Sequence, residues 1–218
     1  MRTPLWAAIV HYRTPELIQH AVEAFRRFHP GVPLLLIDNG STPESARLLH
    51  ELVERHGPGE VLLNSTNLHH GPAMDQAVRH LEAPLILLLD SDAIVVREGL
   101  LDRFHDVFEA DPRAYAAGKM IWMDSRGFDL PRPAGGHPYI RPICMMLRRD
   151  LYRALPPFER HGAPCLRNMI AAVAQGYHLV DVPVLDYIIH EGRGTAARHG
   201  YGLGLRGRLN HLLHRLGL

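Results

Sequence analysis

The sequence alternates short apolar runs with segments of helical periodicity, and this alternation limits the possible folds more than any other feature. Four apolar runs have the length of strands: residues 5–10, 34–37, 61–63 and 85–89. Between them, apolar residues recur at helical spacing over residues 15–28, 43–55 and 72–81. Such a βαβ series predicts an α/β fold, in which a mostly parallel sheet is flanked by helices on both faces.

The second half of the chain is less regular. Its predicted elements are a helix at 100–109, strands at 114–122 and 143–147, a helix at 166–174 and a strand at 184–189. Residues 124–138 are rich in glycine and proline, and loops of this kind often cover a ligand site. A chain of 218 residues can bury a substantial core, so we expect one domain over residues 1–200.

The composition argues against several functional classes. A net charge of +1 does not favour a nucleic-acid partner. The apolar runs are too short to span a membrane, and the amino end lacks a secretory signal, so we expect a cytoplasmic protein. Cys144 and Cys165 lack metal-ligand spacing and are expected to be reduced thiols.

The stretch LLLDSDAIVV, residues 87–96, ends an apolar strand with two carboxylates. Asp90 and Asp92 repel each other unless a cation neutralises them, and their hard oxygen ligands suit Mg2+ or Mn2+, which commonly bridge carboxylates to phosphates. In the alternative interpretation, Asp90 caps a turn and Asp92 is solvated. The position after the fourth strand of a βαβ series favours the metal site, because ligands bind beyond the carboxyl ends of such strands.

Four segments, taken in order, resemble the nucleotide-binding half of GT-A-fold glycosyltransferases, especially the large inverting family two. They are WAAIVHYRTPELIQHAVEAF, LLLIDNGST, NLHHGPAMDQAV and LILLLDSDAIVV. PICMMLRRDLYRALPPF and YIIHEGRG continue the resemblance more weakly. The resemblance implies a GT-A (Rossmann-like) domain with a nucleotide-binding half at 1–97 and an acceptor half at 98–200. It also implies a nucleoside-diphosphate sugar donor, with uridine as the expected base, and a divalent cation, Mn2+ or Mg2+.

The resemblance assigns base recognition to the turns after the first two strands. His11, Tyr12 and Arg13 match the base-binding turn, where an aromatic ring can stack on a nucleobase. Packing of the Tyr12 ring on the first helix is the alternative. Asp38 matches an aspartate that accepts a hydrogen bond from the base, and it also fits turn formation within Asp-Asn-Gly-Ser.

Further donor contacts are implied nearer the middle of the chain. Gly71 matches a position where the backbone closely approaches the nucleotide. Asp75 matches a polar residue that faces the nucleotide, with a solvated helix carboxylate as the alternative.

The resemblance also assigns the diphosphate and metal contacts. Asp92 is expected to bind the metal, and Asp90 to bind the ribose or the metal, with Ser91 between them at the donor. His190 matches a late histidine that completes the metal site, although a lone histidine is often structural. Arg193 lies where a cation could contact the diphosphate, and a solvated arginine fits equally.

The resemblance fails at the general base. Many inverting relatives carry a Glu-Asp pair about twelve residues before a Gly-Tyr like the one at 176–177, and this chain has Pro-Cys at 164–165 instead. A cysteine is a poor substitute for a carboxylate that takes a proton from a hydroxyl. Glu159 and His161 are the nearest candidates, and Asp186 is another.

We therefore predict a metal-dependent glycosyltransferase that moves a sugar to an acceptor hydroxyl with inversion. A retaining transferase, and a nucleotide-sugar-binding protein with lost or reduced catalysis, are the alternatives that the missing carboxylate leaves open. A nucleotidyltransferase is disfavoured, because HYRTPE lacks a glycine- and basic-rich phosphate loop after the first strand.

Residues 201–218 predict an amphipathic, basic tail. Leucines at positions 205, 209, 212, 213 and 216 share one helical stripe, and the chain has no acid after Glu191. The tail could contact an anionic inner membrane surface, dock on its own domain or join two copies in a homodimer.

Overall fold

The computed structural model describes residues 2–131, 135–159 and 162–190. His161, Arg193 and the predicted tail at 201–218 lie outside these described residues. Within the described part of the chain, no helix is both long and apolar enough to cross a lipid bilayer.

The helices and strands alternate through the first half of the chain, as the periodicity predicts. The strands are β1 Leu5–His11, β2 Leu34–Asp38, β3 Gly59–Leu63, β4 Leu85–Asp90, β5 Ala93–Val95, β6 Ala114–Met123, β7 Asp129–Leu130, β8 His137–Arg148, β9 His178–Asp181 and β10 Ile188–His190. The helices are α1 Pro15–Phe28, α2 Pro43–His56, α3 His70–His80, α4 Leu100–Ala110, α5 Arg149–Tyr152 and α6 Leu166–Ala174, and Val184–Asp186 forms a 3-10 turn.

One sheet runs in the order β3-β2-β1-β4-β8-β6-β7, with β9 paired to β6. Strands β1 to β4 are mutually parallel, whereas β8 is antiparallel to both β4 and β6. The α/β prediction is confirmed, and the sheet is parallel through its first half and mixed beyond β4. A separate two-stranded sheet pairs β5 with β10.

Helices cover both faces of the main sheet. Alternate residues of each strand point to opposite faces. Leu87 and Leu89 pack in the core that contains α1, α2 and α4, whereas Ile86 and Leu88 pack in the core that contains α3, α5 and α6. By the same alternation, Asp90 falls on the face that α3 covers.

Local sequence explains where α2 begins. The Thr42 side chain accepts a hydrogen bond from the Ser45 backbone N–H at 3.3 Å, and Pro43 occupies the first helical turn. A threonine cap followed by proline is a typical helix start.

Predicted boundaries in the second half need correction. Residues 184–189 were expected to form one strand, but Asp186 and Tyr187 donate backbone hydrogen bonds to Pro183 and Val184 in a 3-10 turn before β10 starts. The predicted loop at 124–138 also contains β7 and the start of β8. Elements of only two to four residues, such as β5, β7, β9 and α5, are too short for a periodic pattern to show.

Candidate metal and nucleotide site

Three of the predicted donor-binding segments meet at one edge of the sheet. In the register of the parallel strands, His11 at the end of β1 lies opposite Asp38 at the end of β2, and Val10 lies opposite Asp90 at the end of β4. The carboxyl ends of β1, β2 and β4 are therefore side by side. This is the edge where open α/β sheets bind their ligands.

Asp90, Asp92 and His190 form a compact cluster beside this edge. Each can offer a ligand atom within 4.8 Å of the others' ligand atoms. His190 Nε2 lies 3.2 Å from Asp92 Oδ1 and 3.7 Å from Asp90 Oδ2. Two carboxylates and one imidazole form a donor set that suits a divalent cation such as Mn2+.

The small β5–β10 sheet brings His190 to the aspartates. The two strands are antiparallel, and His190 lies opposite Ala93, the residue that follows Asp92. A backbone hydrogen bond of 2.8 Å from Val96 N–H to the Tyr187 carbonyl continues this pairing. Residues that are about a hundred positions apart thus become neighbours through strand pairing alone.

The carboxylates of the cluster favour positive charge beside them, either a proton on His190 or a metal cation in place of that proton. Burial opposes the charge on Asp90, but His70 and His190 outweigh burial and hold the pKa of Asp90 well below its ordinary value. Burial likewise opposes the charge on His190, but hydrogen bonds and charges of Asp90 and Asp92 raise the pKa of His190 to about 10. The two carboxylates thus create a site in which a cation is strongly favoured.

His70 belongs to the site, although the sequence did not indicate it. It is the first residue of α3, and its Nε2 lies 3.3 Å from Asp90 Oδ1. The available signal was its place directly before Gly71 in NLHHG, together with the strand alternation that turns Asp90 towards α3. Neither signal specifies which side chain of that segment reaches the carboxylate.

Asn39 holds the turn that leads into α3. Its side-chain N–H group donates to Asn67 Oδ1 at 3.1 Å and to the His69 carbonyl at 3.3 Å. Its side-chain oxygen accepts from the Asn64 side chain at 3.2 Å and from the Leu68 backbone N–H at 3.1 Å. Asn39 is buried, so this network satisfies polar groups that would otherwise be costly to bury. In the sequence, Asn39 is recognisable only as part of the Asp-Asn-Gly-Ser turn.

The ring of His11 is part of the protein interior. It is fully buried, with Nδ1 3.1 Å from Thr14 Oγ1 and Nε2 2.5 Å from Ser45 Oγ. Burial lowers the pKa of His11 to about 4, although the charge of Asp38 acts in the opposite direction. This imidazole therefore fixes the loop after β1 to the start of α2. A contact between the loop backbone and the base stays a prediction.

Tyr12 and Asp38 occupy neighbouring turns. The Arg13 guanidinium lies 5.1 Å from the centre of the partly exposed Tyr12 ring, and Arg13 N–H donates to Ser41 Oγ at 3.0 Å. Asp38 is buried and its Oδ1 accepts from Ser41 N–H at 2.7 Å. The turn role of Asp38 is confirmed. Base recognition by Tyr12, Arg13 and Asp38 stays a prediction.

Ser91 and Asp75 have partners within the protein. Ser91 Oγ lies 3.4 Å from Thr14 Oγ1, which links the two aspartates to the loop after β1. Asp75 accepts a hydrogen bond from the Tyr152 hydroxyl and pairs with Arg79 at 2.8 Å. The Tyr152 contact connects α3 to α5. The predicted approach of Asp75 to the nucleotide is untested by these contacts.

The structure gives a packing reason for glycine at position 71, and the expected approach of a nucleotide there stays a prediction. A Cβ at Gly71 would lie 1.4 Å from the Glu159 carbonyl oxygen, so the loop before α6 fills the space beside this glycine. The Glu159 segment therefore packs directly on the first turn of α3, next to His70.

Glu159 and Cys165 differ in their capacity to act as a base. The Glu159 carboxylate is half-exposed and pairs with Arg167 at 2.5 Å. Cys165 is fully buried, and burial raises the pKa of its thiol far above the ordinary value. The residue at the position where the resemblance implies a carboxylate is thus a neutral thiol in the core.

Residues 6–173 match the family description "Glycosyl transferase family 2". The matched region contains Asp38, Asp90 and Asp92, whereas His190 lies beyond it. No curated protein matches the chain by sequence.

Several solved structures share the fold. A mannosyltransferase from Pyrobaculum calidifontis, in complex with GDP-Man and Mn2+, is 17% identical with a TM-score of 0.71, and the match covers 91% of this chain and 60% of that chain. Glucosyl-3-phosphoglycerate synthase from Mycobacterium tuberculosis, in complex with phosphoglyceric acid, is 15% identical with a TM-score of 0.66, covering 99% and 81%. GalNAc-T7 with UDP, GalNAc and Mn2+ is 14% identical with a TM-score of 0.65, covering 84% and 43%. These similarities confirm the GT-A fold, and the chain spans less than two thirds of the first of these proteins.

Substitution of Gly71 tests the contact between α3 and the Glu159 loop. In an open helix, glycine to alanine is stabilising by up to about 1 kcal/mol. Because the added methyl group of Gly71→Ala would displace the Glu159 backbone, we instead expect a loss of roughly 1–3 kcal/mol in the free energy of unfolding, measured by urea denaturation. Gly31→Ala is the control, since a Cβ at Gly31 meets nothing within 4 Å. A stabilised Gly71→Ala protein would contradict this packing.

The buried His11 imidazole predicts a specific dependence of stability on pH. The unfolded chain binds a proton at His11 below about pH 6.5, whereas the folded protein does so only below about pH 4, so the free energy of unfolding falls as pH decreases through this window. His11→Gln should therefore lose less stability than wild type between pH 7 and pH 4, by on the order of 2 kcal/mol in urea denaturation. His20→Gln, at an exposed site on α1, should follow wild type. Identical pH profiles for all three proteins would show that His11 is not the titrating group.

Proposed function

The chain belongs to glycosyl transferase family 2, and we propose that it moves a sugar from a nucleoside-diphosphate donor to an acceptor hydroxyl with the help of a divalent cation. The observation that carries the proposal is the convergence of Asp90, Asp92 and His190 where β4 ends. Two carboxylates directed at one point are costly without a cation, and this edge of the sheet is where a diphosphate is expected to bind.

The residues of the cluster fit Mn2+ better than Mg2+. Magnesium prefers oxygen ligands in octahedral arrangement, whereas an imidazole is readily accepted by transition metals. The mannosyltransferase and GalNAc-T7 structures contain Mn2+, which supports the same choice here. When bound, the cation would offset the negative charge that develops on the departing nucleoside diphosphate.

We propose a uridine diphosphate sugar as the donor. Tyr12 would stack on the base, and Asp38 would accept a hydrogen bond from the N–H of its edge. The Ser41 backbone fixes Asp38 through Oδ1, and a carboxylate can accept at both of its oxygens. One similar structure contains GDP-Man and another contains UDP, so the base must be tested with both nucleotides.

For the transfer step we propose direct displacement with inversion, and Glu159 as the general base that takes the proton of the acceptor hydroxyl. Its support is positional. The Glu159 backbone packs on Gly71, and the adjacent His70 contacts Asp90, so the loop lies beside the cluster. His161, two residues further along the chain, is the other proposed base. Retention of configuration is the alternative mechanism.

A second candidate function is nucleotide-sugar binding without efficient transfer. The buried, neutral Cys165 favours it, because this residue occupies the position of the family's carboxylate and cannot accept a proton near neutral pH. Both candidates share the metal and nucleotide site, and they differ in whether the bound donor is consumed.

Removal of one carboxylate tests the metal site. Asp92→Asn should lower UDP affinity in the presence of Mn2+ by at least roughly 100-fold in isothermal titration calorimetry, since loss of a ligand costs more than the 10- to 100-fold typical of its supporting residues. UDP binding without Mn2+ should change little. Asp106→Asn on the exposed side of α4 is the control. If Mn2+ strengthens UDP binding equally in Asp92→Asn and wild type, the proposed metal site is wrong.

Replacement of Glu159 separates transfer from donor binding. Glu159→Gln should slow the hydrolysis of a UDP-sugar by about 100-fold, because a general base is lost, while UDP affinity stays unchanged. Glu82→Gln, at an exposed position before β4, should behave like wild type. Proton NMR of the released sugar should show an inverted anomeric centre. Full hydrolysis by Glu159→Gln, or a retained anomeric centre, would exclude Glu159 as this base.

A further inference from the structure

We infer that His70 is a positioning residue of the metal site, which holds one oxygen of Asp90 so that the other oxygen faces His190 and Asp92. The inference rests on the proposed function, because it takes Asp90 as a ligand of the cation. It adds to the site a histidine that acts through the carboxylate and does not itself touch the donor.

The two histidines contact opposite oxygens of the Asp90 carboxylate. His70 Nε2 lies 3.3 Å from Oδ1, whereas His190 Nε2 lies 3.7 Å from Oδ2. His190 also lies 3.2 Å from Asp92 Oδ1. Asp90 is therefore held from the α3 side through Oδ1, and it presents Oδ2 to the point where the three proposed ligands converge.

His70 can act in this way because its own backbone is fixed. It is the first residue of α3, directly after a turn in which Asn39 holds the His69 carbonyl and His69 N–H donates to Asn67 Oδ1 at 2.7 Å. On the other side, Gly71 packs against the Glu159 carbonyl. The imidazole thus extends from a backbone that is fixed on both sides of His70.

The chemical effect of such a partner is orientation. A carboxylate at the end of a strand can rotate, and it can bind a cation through one or both oxygens. An Nε2–H donated to Oδ1 restricts that rotation, and hydrogen-bonded partners of this kind typically contribute roughly 10- to 100-fold to metal affinity. Both the neutral imidazole in the right tautomer and the imidazolium can donate this bond.

A second histidine–carboxylate pair on helix α3 can serve as a control for the His70–Asp90 contact. His80, at the other end of the helix, pairs with the exposed carboxylate of Glu60 at 2.8 Å. This second histidine–carboxylate pair has similar chemistry on the same helix, but the metal cluster does not include it. A general role in helix stability would be shared by both pairs, whereas an effect on the cation requires His70 alone.

The test measures Mn2+ affinity directly, by the electron paramagnetic resonance signal of free Mn2+ titrated with the full chain. His70→Gln keeps an amide N–H that can reach Asp90, whereas the shorter His70→Asn does not. We expect Mn2+ binding by His70→Asn to be roughly 10- to 100-fold weaker than wild type, and binding by His70→Gln to stay within a few-fold of wild type. His80→Asn is the matched control and should bind Mn2+ like wild type. All variants should unfold at similar temperatures.

The outcomes distinguish this inference from the proposed function. Wild type without Mn2+ affinity, alone or with UDP, would overturn the proposed cation site and this inference with it. Wild-type affinity with an equally strong His70→Asn variant would overturn the positioning role and leave the cation site standing. An equal loss in His70→Gln and His70→Asn would show that the hydrogen bond to Asp90 is not the cause, and would also overturn the inference.

Discussion

The repulsion between two carboxylates at the end of β4 is the constraint on which the rest of the site depends. Asp90 and Asp92 are kept together by a strand buried in the middle of the sheet, and their charges must be met by positive charge nearby. His190 arrives through the β5–β10 pairing and His70 through the start of α3. Both imidazoles lower the pKa of Asp90, so this carboxylate stays ionised and able to bind a cation although burial opposes its charge.

The first half of the fold could be predicted because its elements are long enough to show a period. Four apolar runs and three helical segments predict β1 to β4 and the helices between them in their order along the chain. Because the carboxyl ends of parallel strands meet at one edge of a sheet, this series also predicts where the ligand site lies. Asp90 and Asp92 lie close together because only Ser91 separates them in the sequence. The contribution of His190 came from resemblance, and the structure places it within reach of both aspartates.

The remaining parts of the site depend on contacts between segments that are distant in sequence. His70 reaches Asp90 only because Asn39, on another turn, fixes the backbone before α3. Gly71 is required by the Glu159 carbonyl, which a sequence pattern cannot reveal. The His11 ring is buried between two hydroxyl groups, while the predicted contact of its loop with the base stays a prediction. In each case, tertiary packing determines a role that the local sequence leaves undetermined.

The donor site proposed for this protein is the edge of the sheet at β1, β2 and β4, with the cation at its centre. The most direct measurement is a crystal structure grown with Mn2+ and UDP, with anomalous scattering data collected at the manganese absorption edge. We expect an anomalous peak in contact with Asp92, His190 and the diphosphate, with the uracil ring beside Tyr12. A well-ordered diphosphate without manganese at these side chains, or nucleotide bound at another surface, would contradict the account.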